Sequence, residues 1–168
     1  MSLVCADWKM LELALAEGVA CKIEGLAGDF RFLSNFHPAP IEVDGLVFPT
    51  VEHAYQAAKT KDRNEKQFIA ALPSPGSAKR HLISVRDDWE QLKLSVMETL
   101  VELKFHTHEE LRQKLCATGT CCIEETNTWG DRFWGVSQGT GENHLGRILM
   151  RVRARLQSET TLPSSMNG

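Results

Sequence analysis

The 168-residue chain has a single tyrosine, Tyr55, and no apolar run near the ~20 residues needed to span a bilayer. Its start also lacks the succession of basic, apolar and small residues that marks a signal peptide, so the expected compartment is the cytoplasm and no membrane partner is expected. An excess of one charge is missing too. Nineteen Lys and Arg face 22 Asp and Glu, a formal net charge of -3, which argues against gripping long nucleic acids by phosphate neutralisation and leaves small phosphorylated ligands compatible. Five cysteines (Cys5, Cys21, Cys116, Cys121, Cys122) make an odd set without a C-x-x-C pair, so reduced thiols are expected rather than a disulfide framework or a structural zinc. Vicinal Cys121-Cys122 reads most simply as small, partly buried residues. His106 and His108 have no acidic or thiolate partner at ligand spacing, so no metal and no cofactor is expected.

What remains is ordinary globular composition, with 42% hydrophobic and 24% charged residues, at a length suited to one domain with its own core. Residues 7–20, with Trp8, Leu11, Leu13, Leu15 and Val19, predict a helix docked by one apolar face, loosened by Gly18. Ile41 to Phe48 alternates around Asp44-Gly45, a hairpin signature. Thr50 then stands as the N-cap of a helix over roughly 51–60. Further helices are predicted around Lys66–Ala71, from near Ser77, and over Glu109–Cys116. Trp89, Leu92, Val96, Leu100 and Leu103 recur at helical steps across 87–105. A turn-rich aromatic loop fills 124–141. The last helix starts near Asn143 and lays Leu145, Ile148, Leu149, Val152 and Leu156 on one face. Residues 157–168 are poor in groups to bury and read as a disordered tail.

Chemistry concentrates on the predicted 51–60 helix. Glu52, Tyr55, Gln56 and Lys59 fall on one face, a stripe of carboxylate, phenol, amide and amine. Glu52 sits in the first turn, where helix N–H groups and dipole favour its ionised form. A carboxylate there can activate water or stabilise a ribosyl cation, and it can equally serve as a cap. Tyr55 and Gln56 can orient ribose hydroxyls or a base, whereas His53, rotated off the stripe, reads as a packing residue. Lys59 reads as a solvated lysine, a phosphate contact or an amine able to attack C1′ as a Schiff base. Trp129-Gly130-Asp131 sits in an aromatic loop suited to stacking on a planar base, or to pinning the loop itself. Gly139 to Gly146 opens the final helix with glycines that could cradle a phosphate.

Taken in order, Phe32-Leu33-Ser34-Asn35-Phe36, Thr50 to Lys59, Arg86-Asp87-Asp88-Trp89, Lys104-Phe105, Thr118-Gly119, Trp129-Gly130-Asp131 and Gly141-Glu142-Asn143-His144-Leu145-Gly146 resemble the NADAR, or YbiA-like, family over roughly residues 23–156. The resemblance implies a helix-rich α+β single domain with a few short strands; residues 1–22, with the helix predicted from their own pattern, precede the match as an accessory element. It implies an N-glycosidase acting on phosphoribosylamino-pyrimidine intermediates of early riboflavin synthesis, with ribose 5-phosphate as product. Other members remove ADP-ribose from guanine bases, and a non-catalytic NAD or ADP-ribose binding module is a third reading. The family pattern places function on Glu52, Trp89 and Asp131, with Lys59 inside a matching motif. The resulting expectation is Glu52, Asp131 and Lys59 as catalytic residues. Trp89, Tyr55, Gln56, Trp129, Gly130, Asn35 and Asn143 are expected to bind a small phosphorylated ribosyl substrate or an ADP-ribosylated nucleobase.

Overall fold

A computed structural model describes residues 2–161, and these form a helix-rich α+β protein in two units. The first unit takes residues 2–33 and 109–161, the second Ser34–His108.

In the first unit, β1 (Leu3–Val4), β2 (Cys21–Glu24) and β5 (Cys122–Glu124) make a parallel sheet in the order β1-β2-β5. Parallel neighbours need a crossover, and α1 (Trp8–Ala16) supplies it between β1 and β2. Asp7 caps α1 by accepting the Met10 amide at 2.9 Å, and the helix ends before Gly18, whose φ is +65°. The helix is shorter than the predicted 7–20. Its buried face is Leu11 and Ala14; Leu13, two positions from Leu11, lies on the opposite side and is exposed, and Val19, beyond the helix end, is exposed as well. Trp8 instead lies over Phe30 and Phe32 of the 3-10 turn Gly28–Leu33, at ring separations of 5.3 and 6.0 Å.

α6 (Glu109–Ala117) and α7 (His144–Thr161) pack together, and α7 also packs on β5. Leu145, Ile148, Leu149, Val152 and Leu156 are all buried, as the helical spacing predicts. The helix continues through residues 157–161, where the composition predicts a disordered tail; residues 162–168 lie outside the described residues. Arg153, which the stripe leaves unassigned, turns inward and donates to Thr118 Oγ1 and the Cys121 carbonyl at 2.9 and 2.8 Å. Gly146 is required where α7 meets β5, since a Cβ there would lie 2.2 Å from the Ile123 carbonyl oxygen.

In the second unit, β3 (Ile41–Val43) and β4 (Leu46–Phe48) form the expected hairpin. Asp44 and Gly45 both take positive φ, 52° and 74°, as a tight type I′ turn demands. Next comes α2 (Val51–Ala58), followed by α3 (Arg63–Ala70), α4 (Pro75–Arg80) and α5 (Trp89–Thr107). α2 is the hub, in contact with α3, α4, α5 and both strands, and every residue from Val51 to Ala57 is buried. Ala54 and Ala57 let the neighbours approach closely. The consequence is that Glu52, His53, Tyr55 and Gln56 are polar groups inside a core, where each must find a partner or carry a raised desolvation cost.

Candidate functional site

The start of α2 is fixed by four bonds. The Thr50 side chain accepts the His53 amide at 3.3 Å, and Asn35 accepts the Glu52 amide through its carbonyl at 3.1 Å. The Thr50 hydroxyl also meets His53 Nδ1 at 2.8 Å, while His53 Nε2 faces the Leu72 carbonyl at 3.1 Å. A carbonyl only accepts, so Nε2 carries the proton and Nδ1 accepts from Thr50. Burial pushes the imidazole below its ordinary pKa and keeps it neutral. His53 is thus a structural clamp, as its position off the polar stripe predicts.

Asn35 comes to the Glu52 end of the helix by a second anchor. Lys104, buried on α5, donates Nζ to the Ser34 carbonyl at 2.9 Å, and Asn35 Nδ2 approaches Met97 Sδ at 3.3 Å. Burial lowers the Lys104 pKa to about 7.

Glu52, Tyr55, Gln56 and Trp89 are each 6% exposed, and Lys59 is half-buried. Gln56 Nε2 donates to Glu52 Oε1 at 2.7 Å, one helical turn along. At the other end of α2, the Arg86 amide donates to the Lys59 carbonyl at 2.8 Å and the Trp89 amide to the Arg86 carbonyl at 3.1 Å. Arg86 also holds Asp88 through two nitrogens, at 2.5 and 2.9 Å. This turn sets the Trp89 ring 5.1 Å from that of Tyr55, tilted by 59°. The Lys59 ammonium lies over both rings, 5.2 Å from Tyr55 and 5.9 Å from Trp89.

The electrostatics link these groups. Burial raises the Glu52 pKa, opposed by the Gln56 bond and by the positive charges of Lys79 and Lys59. The helix terminus predicts an ionised Glu52, whereas the net shift is upward because burial outweighs the Gln56 bond and the two lysine charges. Burial lowers the Lys59 pKa, helped by Lys79 and opposed by Glu52. Lys79, on α4 and 5.8 Å from the Phe36 ring centroid, is a member of the site that no local motif marks. It is reached only through the packing of α4 on α2.

A cavity of about 270 Å³ lies along the other face of α2, lined by Ala54, Ala57, Ala58, Phe48, Val96 and Leu100 among others. Its walls include two cations, Lys66 and Arg86, of which Arg86 is already bound to Asp88; Glu52 and Lys59 are not among them. The coupled, desolvated acid and amine therefore mark the chemical face better than the hollow does.

Trp129, Gly130, Asp131 and Asn143 belong to the first unit. Asp131 Oδ1 accepts the Phe133 and Trp134 amides at 3.1 and 2.9 Å, and its own amide donates to Asn127 Oδ1 at 3.0 Å. One oxygen of the expected catalytic acid is thus committed to the shape of its loop. Trp129 is 64% exposed, and Gly130 has a φ of +86°. Asn143 accepts the Glu125 amide and donates to the Ile123 carbonyl, joining α7 to β5. Gly141 also has a packing reason: a Cβ would lie 2.1 Å from the Gly135 carbonyl oxygen.

Comparison with known proteins agrees with this architecture. The chain is 39% identical to N-glycosidase YbiA of Escherichia coli (strain K12) over 136 residues, covering 78% of this chain and 84% of that one. It is 35% identical to N-glycosidase Npun_R5314 of Nostoc punctiforme, covering 77% and 87%. A riboflavin biosynthesis protein of Vibrio vulnificus is 37% identical, over 75% of this chain and 35% of that longer protein. The NMR structure of E. coli YbiA superimposes with a TM-score of 0.75 at 34% identity, covering 87% of this chain and 90% of that one. With the NADAR domain model matching residues 26–157, the chain belongs to the NADAR domain family.

Proposed function

We propose that the protein is a hydrolase of N-glycosyl bonds whose substrate is a phosphoribosylamino-pyrimidine and whose product is ribose 5-phosphate. The observation that carries the reading is Glu52, a buried carboxyl coupled to two lysine amines beside an aromatic wall. The names of relatives as N-glycosidases and as riboflavin biosynthesis proteins support it.

Cleaving a ribosyl C1′–N bond builds positive charge on the ring carbon and oxygen, and a carboxylate held in a water-poor setting stabilises that charge strongly. In this reading Glu52 faces the developing cation and accepts the proton of the attacking water. The C1′–O bond forms as the C1′–N bond breaks, and the leaving amine takes up a proton. Gln56 fixes the Glu52 carboxyl so that little reorganisation is needed. Tyr55 and Trp89 offer aromatic surface to the base, and Lys59 with Lys79 supplies positive charge for the phosphate.

The test is incubation of purified protein with a phosphoribosylaminopyrimidine, with ribose 5-phosphate release as readout and ADP-ribosylated guanosine as a parallel substrate. Release from the first, lowered ~100-fold or more by Glu52→Gln with folding intact, is expected. Undiminished turnover by that variant rejects the role of Glu52. Turnover of the guanosine conjugate alone replaces the proposed substrate by the base-linked one.

A further inference from the structure

The parallel sheet of the first unit brings together three thiols that are far apart in sequence. Leu3 pairs with Cys21 and Lys22 with Cys122, so Cys5, two residues past Leu3, and Cys121, just before Cys122, flank Cys21 from the two neighbouring chain segments. The sulfurs of Cys5, Cys21 and Cys121 all lie within 4.8 Å of one another, and the residues are 2%, 7% and 1% exposed. Beside them Arg153 is buried and donates to the Cys121 carbonyl at 2.8 Å.

We propose that Cys5, Cys21 and Cys121 form a site for a thiophilic divalent cation, zinc or its analogue cadmium, held by three thiolates. Zinc–thiolate bonds of about 2.3 Å at tetrahedral angles place sulfurs about 3.8 Å apart, so the thiols need draw together by no more than about 1 Å. Charge selects the valence. A divalent ion on three thiolates carries one net negative charge, which the buried Arg153 guanidinium balances; a monovalent ion would leave the cluster negative in a dry interior. Soft sulfur ligands favour zinc and cadmium over hard divalent ions such as magnesium and calcium. Binding breaks three S–H bonds and forms three S–metal bonds, releases three protons to solvent, and moves no electrons. The ion reaches the cluster past β1, a two-residue edge strand held by the Leu3 amide on the Ala20 carbonyl and the Cys5 amide on the Lys22 carbonyl.

Sequence spacing predicts no metal, because ligands at 5, 21 and 121 have no local motif; the register of the sheet creates the set. Two of the three ligands also precede residue 26, where the match to the family begins.

The test uses the reduced full-length protein and cadmium chloride under anaerobic conditions. One cadmium per chain is expected by native mass spectrometry, with a thiolate-to-metal charge-transfer absorbance and release of three protons. Peptide mapping of the unaltered protein should find Cys5, Cys21 and Cys121 shielded from alkylation by the metal, and Cys122 not. Cys121→Ser should abolish the absorbance, while Cys122→Ser retains it, with circular dichroism monitoring the fold of each. Absence of stoichiometric binding to the unaltered protein overturns the proposal, as does shielding centred on Cys122 or Cys116. The mapping requires no variant, so a misfolded Cys121→Ser does not protect the idea.

Discussion

Gln56 donates its side-chain amide to Glu52 Oε1 at 2.7 Å, inside a helix buried over seven consecutive residues. This bond lowers the Glu52 pKa against the upward push of burial. Gln56→Leu removes it, so the carboxyl titrates at higher pH. If ionised Glu52 stabilises the ribosyl cation, the acidic limb of kcat/KM against pH moves upward in that variant. An unmoved limb assigns it to another group.

Glu52 should cost stability where it is charged. Its folded pKa lies above the ordinary value of 4.5, so between those values the folded state binds more protons than the unfolded state. Stability from this group is full below about pH 4.5 and is lost as pH rises through the folded pKa. Glu52→Gln, which stays neutral, should therefore be more stable than the parent at pH 7, with the gap closing towards pH 4. Urea unfolding at both pH values checks this; a variant less stable at pH 7 contradicts it.

His53 bridges Thr50 and the Leu72 carbonyl as a neutral ring. His53→Ala leaves that carbonyl without its donor and should cost about 1–3 kcal/mol, with kcat/KM changed only a few-fold. Its folded pKa is below 6.5, so the unfolded state binds more protons just under that value, and acidification through this window destabilises the parent but not the variant. A loss of turnover out of proportion to the stability change would make His53 a participant.

Lys104 is a buried amine with a pKa of about 7, donating to the Ser34 carbonyl beside Asn35. From about pH 7 to its ordinary 10.5 the unfolded state binds more protons, so stability from this group rises with pH across that range. Lys104→Met should flatten that slope in denaturation curves. A slope identical to the parent's would place the titration elsewhere.

The local signals were readable where structure is local. Asp44-Gly45 predicts the hairpin because few other pairs tolerate two positive φ values, and Thr50 predicts the start of α2 by its capping oxygen. The α7 stripe is readable because one face of that helix is buried throughout. Glu52, Gln56 and Lys59 could be grouped from helical spacing alone, and Trp89 joined them only through resemblance; its packing on Tyr55 depends on the turn at Arg86. Lys79 and the inward Arg153 were invisible, since each is placed by an element distant in sequence. The burial of Glu52 was equally hidden. A polar stripe reads the same whether it faces water or packed neighbours, and only the packing of α2 decides its titration.

The short strand β1 sets a limit on how this protein can be cut. Residue 26 opens the family match, but β5 pairs with β2, and β2 with β1, both upstream of that position. A chain begun at residue 26 would leave β5 with a bare backbone edge and would strip away Leu11 and Ile23, both wholly buried. Its unsatisfied amides and carbonyls would be open to pairing between molecules. The segment that matches the family and the stretch needed to cover the edge of β5 are therefore different lengths of the same polypeptide, and solubility is expected to follow the longer one.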